Sequence, residues 1–398
     1  MSLDDKVMAG IFPVANACHI ETGIKDLHEV AVLFRKGDTF ERKRFFRVTY
    51  ADRSMDYAQM EHEIMAYLRT QNGNTYNVPE SLIKDGQLYI EIANGQSGCE
   101  YLRSCSEWEF MSFVSRVLLT CLPMQIRLEK APAHIQEYYR QIRQTGDKHM
   151  QSVFQSLDEC GLSGISDFIH GVDIYFESKD CRKVPELDLH PGNFTVGKYP
   201  WNTTMFDRLP GMMVFAPENI AMVYALLPID TKRTIELIEK TEKKYDERHP
   251  SFGTHGNPRF EEYLFNSCFE DYCFFKKNIY GLSFMAGKGD NAKATHRLRI
   301  AYYFLDRFVE KAQNRVPNEF IDQAIDIRYK IEQQYGDMVK GYSYADLPQM
   351  LGTMHKESIF ERIRYRVKMF ATDALITMEQ ILPTYASPMA ADMQYGLN

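Results

Sequence analysis

Asp188-Leu189-His190-Pro191-Gly192-Asn193 leads through Phe194-Thr195-Val196 and the turn-like Gly197-Lys198-Tyr199-Pro200-Trp201-Asn202 to Thr203-Thr204-Met205-Phe206-Asp207. What this segment becomes in space determines the architecture of the chain. Asp188 and Asn193 flank Pro191-Gly192, which favours a tight turn because proline presets one backbone angle and glycine takes angles closed to other residues. Such a turn folds the Asn193 carboxamide back toward the side that Asp188 faces. The apolar, β-rich triplets around residues 197–202 predict an antiparallel hairpin, 194–196 against 203–206. Asp207 then stands at the strand end beside Asn193. Carboxylate and carboxamide oxygens are hard ligands of the kind a magnesium ion takes.

In-line phosphoryl transfer requires one carboxylate to orient the attacking hydroxyl, and a second carboxylate with a neutral oxygen ligand to hold magnesium on the phosphates of ATP. The stretch supplies all three. Asp-x-x-x-x-Asn followed by a strand-end aspartate resembles the protein-kinase-like superfamily, and Asp-Leu-His-Pro-Gly-Asn is most similar to its aminoglycoside and choline phosphotransferase branch. It also resembles the early serine/threonine kinases of some short-tailed bacteriophages, whose Asp-x-His-x-Gly-Asn loop lacks the usual preceding His-Gly. Here Pro185-Glu186-Leu187 stands in that place. The resemblance implies an α+β, bilobal fold with a small N-terminal antiparallel sheet lobe and a large, mainly helical C-terminal lobe. It also implies ATP and Mg as cofactors, Asp188 as catalytic base, and Asn193 and Asp207 as metal ligands. Asp207-Arg208-Leu209 departs from the family's Asp-Phe-Gly or Asp-Trp ending. His190 reads as a loop-orienting residue.

Such a fold requires the N-terminal segment to supply a sheet, a phosphate-covering turn, a cation and a glutamate. Residues 30–34 and 45–50 have β-rich composition and flank Lys36-Gly37-Asp38, which predicts a hairpin. A strand over 11–18 is expected to pair with 30–34 across Glu21-Thr22-Gly23-Ile24-Lys25-Asp26. That connection holds Gly23 alone, where a glycine-rich loop would let several backbone N–H groups approach phosphates. Arg47 sits where a strand cation could reach the phosphates, and Lys43, on the same face by the period-two rule, is the reserve. Ser54 is the expected cap of a helix over 55–69, with Tyr57, Met60, Ile64, Met65 and Leu68 as its apolar face. Glu61 and Glu63 lie on that helix, and the spacing of Arg47 and Glu63 is like that of the paired cation and glutamate in small-molecule kinases. The alternative is an exposed strand cation and a solvated helix acid.

Residues 87–92 read as a further strand and 93–98 as a flexible crossing, with a boundary near 97. Domains are expected at 1–97 (nucleotide-binding lobe), 98–230 (catalytic part of the C-terminal lobe) and 231–398 (helical extension). Helices are expected over 108–122, 134–160, 166–176, 231–248, 259–279, 292–314, 317–335 and 357–382. Gly287-Lys288-Gly289 fails as a phosphate-binding loop, because the preceding glycine is one residue too far and no Ser or Thr follows the lysine. Cys268 and Cys273 read as buried thiols, since no partner stands at zinc spacing. Lys240, Lys243 and Lys244, interleaved with Glu236, Glu239 and Glu242, read as a solvated face.

The chain has 398 residues, with 44% hydrophobic and 25% charged. That is enough for two domains of ordinary soluble composition. A net charge of −7 argues against general nucleic-acid binding, which needs a basic excess. No apolar run approaches a membrane span, and the N-terminus lacks a secretory pattern. The expectation is a cytoplasmic protein, in the host cytoplasm if phage-encoded, with its eight cysteines reduced. The leading expectation is a kinase that transfers the γ-phosphate to a hydroxyl, with protein Ser/Thr placed ahead of a small-molecule hydroxyl. The alternative is an inactive kinase-like scaffold that binds a protein partner through its C-terminal helices.

Overall fold

The computed structural model describes residues 7–14, 19–21, 25–36, 38–50, 56–70, 78–92, 95–106, 109–110, 113, 128, 130–159, 161–179, 181, 183–186, 193–197, 203–205, 213–225, 227, 230–248, 267–287 and 289–345. The chain divides into two compact units: Met1–Ile142 with His190–Leu209 and Ser358–Asn398, and Arg143–Leu189 with Pro210–Glu357. The expected order, an antiparallel sheet followed by a mainly helical remainder, is present.

The first unit is built on six strands: β1 (Val7–Pro13), β2 (His19–Glu21), β3 (Lys25–Lys36), β4 (Thr39–Tyr50), β5 (Ser81–Lys84) and β6 (Gln87–Glu91). They run in the order β1-β3-β4-β6-β5, with β2 also on β3. The predicted β3–β4 hairpin is present and longer than expected, in register from Lys25↔Tyr50 to Lys36↔Thr39. The first strand begins at Val7, earlier than the 11–18 of the sequence reading, and pairs through Pro13↔Val30. Its chain then returns as β2 against the start of β3, Glu21↔Asp26. The strand β5 has no counterpart among the sequence expectations, although its turn is a strong signal. Asp85 and Gly86 have φ of 53° and 72°, the left-handed pair of a two-residue hairpin.

Alternation along β4 separates two cores. Phe46 and Val48 join Leu27, Leu88 and Ile90 on the face against which Ala58 and Met65 pack from α1 (Tyr57–Thr70). Phe45 joins Val30, Val32, Phe34 and Tyr89 on the other. Each fully buried large side chain contributes about 1.5–3 kcal/mol. All five apolar residues expected on α1 are buried. Its cap is Asp56, whose carboxylate accepts from Gln59 N at 3.1 Å, the usual role of a short polar side chain at that position. The expected Ser54 lies outside the described residues. Tyr50 stacks on Tyr57 with centroids 5.6 Å apart and donates to the buried Glu61.

The crossing is partly ordered by local bonds. A short strand, β7 (Gln96–Ser97), is followed at once by α2 (Gly98–Ser104). There Ser97 and Glu100 form a capping box, with Ser97 Oγ accepting from Glu100 N at 3.3 Å. Next comes α3 (Ala133–Glu159), close to the expected bounds. Of the helix expected over 108–122, only 109–110 and 113 are described, and the one expected over 357–382 lies outside the described residues.

The second unit holds α4 (Ile165–Ser178), β8 (Lys183–Pro185), β11 (Met213–Phe215), α5 (Ala216–Ala225), α6 (Thr231–Arg248), α7 (Ser267–Gly287), α8 (Asn291–Lys311) and α9 (Asn318–Val339). Helix α7 is buried on every side over residues 268–280, which marks a central helix. The expected start at 259 lies outside the described residues, and the helix runs eight residues past 279, to the Gly287-Lys288-Gly289 connection, after which Asp290 caps α8 by accepting from Lys293 N at 3.1 Å. Phe274 and Phe304 join α7 and α8 at a centroid distance of 4.8 Å. Cys268 and Cys273 are buried and in no disulfide, as expected. The solvated face expected on α6 is corrected at two positions. Glu236 is buried and meets Arg233 at 2.6 Å, while Glu239 accepts from Tyr303 Oη and lies 3.6 Å from Arg307. Helix-period charge cannot reveal which neighbour covers it. Among the described residues, no helix is long and apolar enough to cross a membrane.

His296 on α8 shows how burial links this unit to pH. Its Nδ1 lies 2.9 Å from Thr231 Oγ1, and burial, reinforced by Arg297 and Arg299, pushes its pKa down to about 4. The folded imidazole stays neutral where the unfolded one takes up a proton. The stability is therefore full above the ordinary value of 6.5 and is lost as pH falls through about 4. Urea melts at pH 7 and about 4.5 should show His296→Gln removing on the order of 2 kcal/mol of the wild-type loss. Equal losses in the two proteins would contradict this.

Candidate functional site

The hairpin expected after Asn193 is present. Two strands, β9 (Phe194–Val196) and β10 (Thr203–Met205), pair antiparallel, Thr203↔Val196 to Met205↔Phe194. Asn193 stands immediately before β9 and is 3% exposed. The chain therefore leaves β10 at the end of the hairpin where Asn193 enters it. Phe194 is buried and stacks on Phe113 at 4.9 Å with an interplanar angle of 26°, which fixes the strand start. Asp188, Asp207 and Gly23 lie outside the described residues.

A third strand locks the hairpin to the crossing. It is β7, which lies on the free edge of β9, Gln96↔Val196 and Ser97↔Thr195. The preceding Gly95 has φ of 155°, and a Cβ there would lie 2.5 Å from the Val196 carbonyl oxygen. Backbone meets backbone at this point, so no side chain can move aside. The sequence placed a crossing here without revealing that it is hydrogen-bonded to the hairpin.

The cations of β4 divide by parity. Arg47 stands opposite His28 on β3 and Tyr89 on β6, on the face away from α1. Its Nε is buried with no hydrogen-bond partner. Burial raises the pKa of Tyr89, and the positive charge of Arg47 partly offsets that. Lys43, on the same face, meets Glu91 at 2.6 Å and Glu80 at 3.6 Å. Burial alone would lower its pKa, but the bond to Glu91 and the surrounding carboxylates raise it. Glu63 on α1 accepts from Gln59 Nε2 and lies 3.3 Å from His134 Nε2. The structure thus brings Lys43 to one carboxylate at the end of β6 and another just before β5, and does not bring Arg47 to Glu63. On the α1 face the strand presents Arg44 instead, whose Nε lies 2.5 Å from the buried Glu29 Oε1. Sequence reasoning passed over Arg44, although stepping by two from Phe46 and Val48 reaches it.

Among the described residues, no group of three or more His, Cys, Asp and Glu side chains is placed to hold a metal ion. The expected magnesium ligand set is Asn193 with Asp207, a hard oxygen pair of the right chemistry.

No protein-family model matches the chain, and no curated protein does. Among solved structures it is similar to an ethanolamine kinase of Plasmodium vivax, at 12% identity over 75% of this chain and 85% of that one, with a TM-score of 0.42. It is similar to a macrolide 2′-phosphotransferase of Brachybacterium faecium at 14% identity, over 72% and 90% of the two chains, with a TM-score of 0.37. A spectinomycin phosphotransferase in complex with ADP and spectinomycin shares 13% identity over 78% of this chain and 92% of its own, with a TM-score of 0.30. These are structures of the kind that the sequence resemblance names.

Gly95→Ala should destabilise the chain by about 2 kcal/mol or more, from strain in φ together with the collision at Val196. Gly86→Ala supplies the control for a positive φ without a collision, because its φ of 72° lies in the left-handed region and nothing lies within 4 Å of the added carbon. It should cost only about 1 kcal/mol. Equal shifts of the two urea midpoints would refute the close-approach argument.

Proposed function

We propose that the chain is an ATP- and magnesium-dependent kinase that transfers the γ-phosphate to a hydroxyl. The observation that carries the reading is the Asp188-to-Asn193 loop sequence joined to the β9–β10 hairpin, whose register supports Asn193 and Asp207 as neighbours at one end. In this reading Asp188 orients the acceptor hydroxyl and takes up its proton as the oxygen attacks the γ-phosphorus. The bond from that phosphorus to the β–γ bridging oxygen breaks, and ADP leaves with the electron pair. Asn193 and Asp207 hold the metal ion, which when bound neutralises charge on the phosphate oxygens. Gly23, in the connection between β2 and β3, offers a backbone N–H to the phosphates, and Arg47 or Lys43 supplies positive charge. The Arg44–Glu29 pair on the α1 face is an added candidate for that charge, because Glu63 is engaged with Gln59 and His134.

Residues 1–97 would serve as the nucleotide-binding part, 98–230 as the catalytic part and 231–398 as a helical extension, working in the cytoplasm. Two acceptor classes follow from the motif. Amino alcohols, hydroxyl-rich antibiotics and host lysate proteins are assayed side by side.

Purified chain with magnesium and γ-labelled ATP should pass label to one acceptor class. Asp188→Ala should lower kcat by about 100-fold or more. Transfer by that variant at the wild-type rate would overturn the mechanism. A saturating nucleotide at about 100 times Kd should stabilise the native state by about 2.7 kcal/mol, read as a rise in Tm. No transfer and no shift at millimolar ATP would favour a kinase-like scaffold that binds a protein partner.

A further inference from the structure

The helical unit buries an ionic cluster at the two strands from which the 186–212 segment departs and to which it returns. Lys276 on α7 has a 5% exposed side chain, and its Nζ lies 2.9 Å from Asp173 on α4 and 3.0 Å from Glu218 on α5. Asp173 also receives Lys183 of β8 at 2.8 Å, and Tyr272 Oη donates to it at 2.5 Å. Glu218 accepts from the backbone N–H of Phe215 in β11 at 3.0 Å. The strands β8 and β11 are themselves paired through Val184↔Val214. The next residue of α7, Lys277, makes an ion pair with Glu186, the side chains 8% and 11% exposed. Glu186 follows β8 directly and stands two residues before Asp188.

Stability alone does not explain this arrangement. Well-packed apolar residues often replace a buried ion pair with no loss of stability or with a gain, so retained ions are better understood through the geometry they impose. An ion pair fixes where two chains meet, because one partner displaced leaves the other buried and uncompensated. Here that constraint falls on the chain immediately before the candidate base.

We infer that Lys277 is a positioning residue for phosphoryl transfer: through Glu186 it sets the course of the backbone that leads to Asp188, while Lys276 secures β8 and β11 on either side. The inference rests on the kinase reading of Asp188 for its catalytic consequence, and on the ion pair alone for its structural one. Lys277 touches no reacting atom in this scheme.

The test compares wild type with Lys277→Met, Lys277→Arg and the near-isosteric Glu186→Gln. In the labelled-ATP assay Lys277→Met should lower kcat by about 10-fold or more while KM for ATP stays within about 2-fold, since misplacement of a catalytic group acts on the chemical step. Lys277→Arg, which keeps the charge, should recover most of the loss. Amide exchange at Glu186 and along β8 should quicken by about 10-fold in Lys277→Met, with the N-terminal sheet unaffected. Should Lys277→Met fail to fold, Glu186→Gln is read against the same expectations. An active wild type whose kcat and Glu186 exchange do not respond to either substitution would overturn the inference. A wild type that transfers no label and shows no Tm shift with ATP, but whose Glu186 exchange responds as expected, would refute the kinase reading and leave only the structural role of the ion pair standing.

Discussion

A lysine ammonium taken out of water costs several kcal/mol unless anions accompany it, and in the helical unit this requirement decides which elements meet at Lys276. One carboxylate comes from α4 and another from α5. Burial by itself would lower the pKa of Lys276, but Asp173 and Glu218 raise it well above the ordinary value, so it stays charged. Burial by itself would raise the pKa of Asp173, and Lys276 with Lys183 outweighs it and holds the group below the usual carboxylate range. Glu218 goes the other way. Burial pushes it up, the attraction of Lys276 does not cancel that, and its Oε2 has no hydrogen-bond partner. Lys276 Nζ donates to both oxygens of Asp173, at 3.0 and 2.9 Å, and to one oxygen of Glu218 at 3.0 Å, which makes Asp173 the principal counter-ion. The ring of Phe215 in β11 lies 5.3 Å from the ammonium. Its π face adds a weaker electrostatic contact.

At the sheet a different constraint, the alternation of side chains along a strand, governs which β4 cation can meet a helix acid. Successive side chains point to opposite faces, so Arg44 lies with Phe46 and Val48 on the α1 side and Arg47 lies with Phe45 on the other. Linear spacing ignores this alternation. Arg47 and Glu63 stand at a separation that suits a pair, yet the strand turns Arg47 toward Tyr89 while the helix turns Glu63 toward His134. Arg44 finds its carboxylate within the sheet itself, on Glu29 of β3.

These outcomes explain which parts of the fold were legible. Hairpins read well where local signals agree: the 194–196 and 203–206 strands appear within one residue, because β-rich triplets and a turn dictate them together. Helices α1 and α6 read well because a stripe of apolar residues at helical spacing depends on nothing distant. Three features were not legible. The strands β8 and β11 are three residues each and pair across an interval of nearly thirty positions, so neither carries a pattern of its own. The ionic partners of Lys276 and Lys277 are long-range, and a lysine buried in a helix looks like any other lysine in a sequence. The burial of Glu236 and the pairing of Glu239 depend on neighbours that α6 alone does not name. The candidate site divides the same way: the hairpin was readable, and the charge pairs near it were not.

Ser97 shows how the legible and illegible parts join. As a strand residue it pairs with Thr195, and as a helix cap its hydroxyl serves Glu100 N, so one residue ties the hairpin to α2. Gly95 permits the approach that makes the pairing possible, and Phe194 seals the far side of β9 on Phe113. Strand β9 is thus held at its free edge and on one face within a few residues of Asn193. The backbone that enters β9 at the buried Asn193 is therefore fixed from two directions, by an edge pairing and by a ring contact.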